Sequence, residues 1–229
     1  MPDSSFFAEM ALELHAEATM ADTLARIVEF AQQALACDQA GILLVHSRTR
    51  LETMLATNDA VERSHELQRK LDEGPCLDAI EGEPVYVSGD VEADPRWQRW
   101  GSEVAPLGLR SVISVRLASQ NRRYGSLNLY SHRTHAWEDG DVEVAQVFAR
   151  HASVAVATSH QEDGLKVAAD TRNLIGQAQG IIMERFEIDA DRAFAVLSRV
   201  SQQRNIKLRA LAEDLVRNRA DSELFKLPG

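Results

Sequence analysis

The chain has 229 residues, 45% of them hydrophobic, which is enough for a sizeable core and more than one ordinary domain needs. Its net charge is −10, from 25 Lys and Arg against 35 Asp and Glu, a balance that argues against a general coating of nucleic acid. No run of about eighteen uncharged apolar residues occurs and MPDSSFFAEM lacks the basic start of a signal peptide, so a cytosolic chain with no membrane segment is expected. Cys37 and Cys76 are too few for a disulfide framework or a zinc site.

The average charge hides an asymmetry. Residues 1–164 hold 14 Lys and Arg against 26 Asp and Glu, a net of −12, whereas residues 165–219 hold 10 against 7, a net of +3. An acidic front and a mildly basic back point to separate tasks.

In chain order, Leu24, Ile27, Val28, Ala31 and Leu35 recur at helical spacing and predict one or two amphipathic helices. AGILLV (40–45) and LETMLAT (51–57) read as a hairpin, and EPVYVS (83–88) as a further strand. In RSVISVRLA (110–118) Ile113, Val115 and Leu117 alternate with Ser114 and Arg116, predicting one buried and one wet face, and YGSLNLYS (124–131) repeats the alternation. These elements predict an α+β front, an antiparallel sheet with helices on one side.

From Trp137 the pattern changes. A proline-free run of helix formers starts near Asp141 and predicts a long helix, straight or bent near Gly164, leading into the basic segment with no Gly/Ser/Pro-rich linker. TRNLIGQAQGIIMERF (171–186) places Gly176 and Gly180 among apolar residues, which predicts close approach of other helices at these small residues. Asp189 is the expected N-cap of a helix carrying Ala193, Val196, Leu197 and Val200 on one face, ending near Gln203 to Asn205. Leu208, Leu211, Ala212 and Leu215 then mark a last helix.

IGQAQGIIMER (175–185), Ala193-Phe194, Leu197-Ser198-Arg199, Ser201, Asn205, Leu208 and Ala212 resemble the signature of ANTAR domains, three-helix RNA-binding modules of bacterial antiterminators. Upstream, GPCLDAI (74–80), PVYV, DPRW (94–97), LGLRSVISVRL and YGSLNLYS resemble a GAF sensor domain of the kind fused to ANTAR in actinobacteria. The resemblance implies a GAF-like sensor over residues 1–160 and an all-α ANTAR bundle over 161–229, joined by the long helix. It further implies binding of paired RNA hairpins that prevents terminator formation, under an unknown small-molecule effector; with it goes the expectation of a cytoplasmic homodimer.

Arginine pairs bidentately with phosphate or guanine, and Asn and Gln read the edges of unstacked bases. Motif position and chemistry together single out Arg172, Gln179, Arg185, Arg199, Asn205, Lys207 and Arg209 as RNA contacts. Gln179 stands where the family commonly has Lys, which removes one phosphate-seeking charge. Two alternatives use the same helices: a DNA-reading helix-turn-helix, against which Glu213 and Asp214 in the last helix speak, and a module for dimerisation or protein contact. For dimerisation, Val144, Phe148, Ala152 and Ala155 form the expected stripe.

In the front half, Cys76, Trp97 and Trp100 are the candidates for a ligand pocket. Cys76 follows Pro75 at a predicted helix start, where the dipole lowers a thiol pKa. His132 and His135 have no further metal ligands nearby, and no haem, bilin or cyclic-nucleotide pattern defines a cofactor. No phosphate-cradling Gly-rich loop or Gly-x-Ser-x-Gly elbow is present, so no enzymatic activity is expected.

Overall fold

The computed structural model describes residues 3–35, 37–47, 50–138 and 140–218. It divides into two compact units, Met1–Ser159 and His160–Gly229. The first begins with helices α1 (Ser4–Ala16) and α2 (Met20–Leu35) and the strands β1 (Gln39–Ser47) and β2 (Arg50–Ala56). Helices α3 (Asp59–Leu71) and α4 (Pro75–Glu81), strand β3 (Val85–Ser88) and helix α5 (Gln98–Val104) follow, then β4 (Ser111–Ala118) and β5 (Arg123–Ser131). The strands form one antiparallel sheet in the order β2-β1-β5-β4-β3.

Helices cover both faces of this sheet, not one. On one face Ile42, Leu44, Ile113, Val115, Leu117, Leu127 and Leu129 pack against α1, α2 and the first turns of α6 (Asp141–Phe186). On the other, Val112 and Tyr130 meet Val61 and Leu67 of α3 and Trp100 and Val104 of α5, while Leu43 meets Cys76 and Ile80 of α4. The alternation in β4 and β5 is therefore real, but its serine and asparagine positions are buried, while Arg116 keeps part of its surface. Ser114 Oγ donates to Cys76 Sγ of α4, Asn128 Nδ2 donates to His65 Nε2 of α3, and Ser126 Oγ accepts from Asn128 Nδ2 within β5.

Gly41 is what lets α3 lie this close. A Cβ there would stand 2.6 Å from Val61 Cγ1 and 2.8 Å from His65 Cε1, inside van der Waals contact. His65 is fully buried with both ring nitrogens engaged: Nε2 lies 3.3 Å from Asn128 Nδ2 and Nδ1 lies 3.2 Å from Thr53 Oγ1. The amide can only donate, so Nε2 accepts and Nδ1 carries the proton. Burial, aided by the Arg69 charge, pushes the imidazole pKa down to about 3, which keeps the ring neutral.

Val144, Phe148 and Ala152 belong to the core of the first unit, with Ala155 packed against it. They are not a dimerisation stripe: the face a helix needs for its own sheet is unavailable to a partner. The helix is unbroken at Gly164, and every residue from 161 to 170 is exposed.

The second unit packs the end of α6 with α7 (Ala190–Arg204) and α8 (Leu208–Asn218) around Ala178, Ile182, Ala193, Leu197, Leu211, Ala212 and Leu215. The expected signals set its boundaries. Asp189 caps α7 by accepting the Arg192 N–H at 2.8 Å, and Asn205 ends it in the left-handed conformation at φ 52°. Ser201 Oγ donates to the Ile206 carbonyl at 2.6 Å and the Ile206 N–H returns to the Ser201 carbonyl at 3.0 Å, closing the α7–α8 turn.

Candidate functional site

Two places in the chain can engage a partner, one in each unit. In the second unit, the stretch from Arg192 to Ala212 carries five Lys and Arg and no Asp or Glu. Arg199, Arg204, Lys207 and Arg209 are exposed at the α7–α8 turn and the helix ends beside it, around exposed Asn205. Within this unit Arg192 pairs with Asp189 at 3.5 Å and Arg217 with Glu213 at 2.9 Å; among the described residues no ion pair involves Arg172, Arg185, Arg199, Arg204, Lys207 or Arg209. Unpaired cations on a turn are free to meet phosphate without first breaking a salt bridge. Arg204 was not singled out from the sequence, although its place in the last turn of a helix between Arg199 and Lys207 was visible there.

The α6–α7 turn has the opposite character. Glu184, Glu187, Asp189 and Asp191 flank Arg185 in the sequence, and its Cζ lies 5.8 Å from the Phe186 ring centroid. Arg185 thus sits in a local field less suited to phosphate than that of Arg199 or Lys207. Gln179 donates through Nε2 to the Ala190 carbonyl at 3.2 Å, tying α6 to the first turn of α7, so part of its hydrogen-bonding capacity serves the bundle. Arg172 is exposed on α6.

Gly176 and Gly180 do not serve close helix packing. A Cβ on either would meet nothing within 4 Å, and both are exposed. Helical periodicity puts them on the side opposite buried Ala178, so the interhelical contact is made by Ala178 and Ile182 while the glycines leave bare backbone toward solvent.

The first unit holds a cavity of about 570 Å3 between the β1–β2 hairpin and α3–α4. Its aliphatic lining is Val45 of β1, Leu51 of β2 and Leu77 and Ile80 of α4; its charged lining is Arg50 of β2, Arg69 of α3, Asp72 just after α3, and Asp78 and Glu81 of α4. Arg69 Nη1 donates to Thr53 Oγ1 at 3.2 Å, and Asp78 Oδ2 accepts the Trp97 indole N–H at 2.8 Å.

Cys76, Trp97 and Trp100 are not in this lining. Trp97 and Trp100 are 1% and 0% exposed, edge-to-face at 6.3 Å, with the Trp100 indole N–H donating to the Ser64 carbonyl at 3.3 Å; they are core. Cys76 is also fully buried, its Sγ 2.7 Å from Gln68 Nε2 and 3.6 Å from the Tyr130 hydroxyl. Burial pushes its thiol up to about 11, which outweighs any helix-end effect in a helix of seven residues and removes the reactive thiolate at neutral pH. His132 Nδ1 lies 2.7 Å from the Gly108 carbonyl, and no metal-binding cluster occurs among the described residues.

No curated protein matches the chain. Among solved structures it is similar to the GAF domain of a phosphoenolpyruvate-protein phosphotransferase from Coxiella burnetii, at 13% identity and TM-score 0.59, covering 70% of this chain and 95% of that one. It is likewise similar to the phycocyanobilin-bound GAF domain of a cyanobacterial phytochrome, at 15% identity and TM-score 0.54, over 71% of this chain and 97% of that one. A third is free methionine-R-sulfoxide reductase from Neisseria meningitidis in complex with its substrate, at 19% identity and TM-score 0.51, over 71% and 96%. At these identities the likeness is one of fold. Residues 17–157 match the GAF domain family model and residues 163–216 the ANTAR domain model, both regulatory modules, and no helix of the described residues is long and apolar enough to cross a membrane. The chain belongs to the GAF domain family and carries an ANTAR domain at its basic end.

Proposed function

We propose that the protein is a signal-responsive RNA-binding antiterminator: residues 1–160 sense a small molecule, and residues 161–229 bind paired hairpin loops in nascent RNA. Binding stabilises the hairpins against a competing terminator stem, and transcription reads through. The observation that carries this reading is the unpaired basic surface at the α7–α8 turn in a chain whose net charge is −10. A compact surface of this kind suits exposed loop bases better than duplex, whose narrow major groove hides its base edges. Arg199, Arg204, Lys207 and Arg209 hold phosphate, with Arg172 and Asn205 beside them in role and Gln179 and Arg185 as lesser contributors.

Two hairpins call for two such surfaces, and hence a homodimer acting in the cytoplasm. On α6, Val154, Thr158, Gln161, Leu165 and Ala168 are all exposed and follow at steps of four, three, four and three residues, the spacing of a coiled-coil seam. Val154 and Leu165 are each 65% exposed, large apolar side chains that a partner helix covers. Ligand-dependent change in the first unit passes to the second along α6, and linking two weak sites raises the effective concentration of each for its hairpin.

A gel-shift titration tests the reading. A double-hairpin transcript is bound with an affinity that falls with salt, while a single hairpin is bound more weakly and duplex DNA is not shifted. Equal binding to duplex DNA overturns it in favour of a helix-turn-helix reader.

A further inference from the structure

The cavity of the first unit carries opposed charges that do not neutralise one another. Arg50 and Arg69 come from β2 and α3, whereas Asp78 and Glu81 come from α4, across an aliphatic floor that includes Leu51 and Leu77. Among the described residues no ion pair joins either arginine to Asp72, Asp78 or Glu81; Arg50 reaches only Glu52, at 3.8 Å. Oppositely charged groups that share a cavity without pairing are apart by more than a salt-bridge distance, so a ligand with its own separated charges satisfies both. Asp78 Oδ2 accepts the Trp97 indole N–H, which fixes the carboxylate, and among the described residues no side chain or backbone donor engages Oδ1.

The lining also selects against other ligands. Three carboxylates repel a nucleotide or other polyanion, and no imidazole or thiol among the lining residues offers itself to haem iron or a soft metal. The volume of about 570 Å3 lies within the range of roughly 300 to 1,000 Å3 of small-molecule sites.

We propose that this cavity binds an aliphatic zwitterion, a free α-amino acid or a short peptide, with its carboxylate on Arg69 and Arg50, its ammonium on Asp78 and Glu81, and its side chain on Leu51, Leu77 and Ile80. The inference rests on the sensing half of the proposed function and is independent of the RNA-binding half.

The test is isothermal titration of the full chain with L-leucine, L-leucyl-L-leucine, the uncharged N-acetyl-L-leucinamide and cyclic GMP as the nucleotide control. Binding of leucine or dileucine, and not of the blocked amide or the nucleotide, is expected; which of the two binds more tightly separates free amino acid from peptide. Arg69→Gln and Glu81→Gln each weaken the bound zwitterion about tenfold or more. The Glu81 side chain makes no hydrogen bond among the described residues, so Glu81→Gln leaves the unliganded melting temperature unchanged and guards against a folding defect. No binding of either zwitterion at millimolar concentration, equal binding of the blocked amide, or tighter binding of cyclic GMP overturns the proposal. Leucine binding by a chain that binds no RNA would uphold it while the antiterminator reading fell.

Discussion

Replacing Gly176 and Gly180 by alanine, singly and together, is expected to stabilise the α6–α8 bundle. Both positions are mid-helix, neither is among the glycines with positive φ, and an added Cβ meets nothing within 4 Å, so alanine fits without strain or clash. The change removes backbone entropy from the unfolded chain and improves helix propensity, worth about 0.5 to 1 kcal/mol at each site. For a unit of 70 residues, each kcal/mol raises the melting temperature by about 4 to 8 °C. The sites are one turn apart, but an added Cβ at either meets no other group within 4 Å, so the two effects should be close to additive. Chemical denaturation of the full chain, followed by helix signal in the second unit's transition, measures this. A loss of stability in either variant refutes the reasoning, since it requires the glycines to be covered by something a methyl group displaces. If the variants are more stable but bind RNA less tightly, the bare backbone on this side of α6 is a place where the RNA comes close.

Two other expectations follow from burial. His65 has its pKa lowered to about 3 in the folded chain against 6.5 for the free side chain, so the unfolded chain binds the extra proton first. This contribution to stability is complete above about pH 6.5 and is lost as pH falls toward 3, with a slope of up to about 1.4 kcal/mol per pH unit. Denaturation midpoints from pH 7 to pH 4, compared with those of His65→Gln, should show the steeper fall in the wild type; equal slopes contradict the neutral buried ring. On α6, Leu165→Glu puts a charge into the exposed seam and is expected to convert a dimer into a monomer in light scattering without lowering the melting temperature of either unit, whereas Phe148→Glu should unfold the first unit. A dimeric Leu165→Glu chain removes the seam from the account.

The second unit was the more legible half. Its helix ends are set by local signals, Asp189 and Asn205, that act within one or two turns and need no distant partner. The sheet strands were readable for the same reason, but what lies over them was not. Ser114, Ser126 and Asn128 look like positions facing water, and only the folded chain brings Cys76 onto Ser114 and His65 onto Asn128. Helices α3 and α5 escaped notice because buried Ser64, His65 and Gln68 break the apolar stripe of α3 and α5 has only seven residues. The same non-local packing took Trp97, Trp100 and Cys76 into the core and left the cavity to Arg50, Arg69 and the α4 carboxylates, residues that in the sequence are indistinguishable from a solvated surface. Periodicity marks Phe148 and Ala152 as apolar but cannot say whether their own sheet or another chain covers them.

The most direct test of the account is the salt dependence of binding to a double-hairpin transcript by the wild type and by Arg199→Gln, Arg204→Gln and Lys207→Gln. If these side chains neutralise phosphate, each substitution weakens binding and lowers the slope of log affinity against log salt by roughly 0.7, while Arg185→Gln, in its acidic surroundings, changes both far less. Unchanged slopes in the first three variants, or a larger effect from Arg185→Gln, would contradict the claim that the α7–α8 turn is the RNA-binding surface.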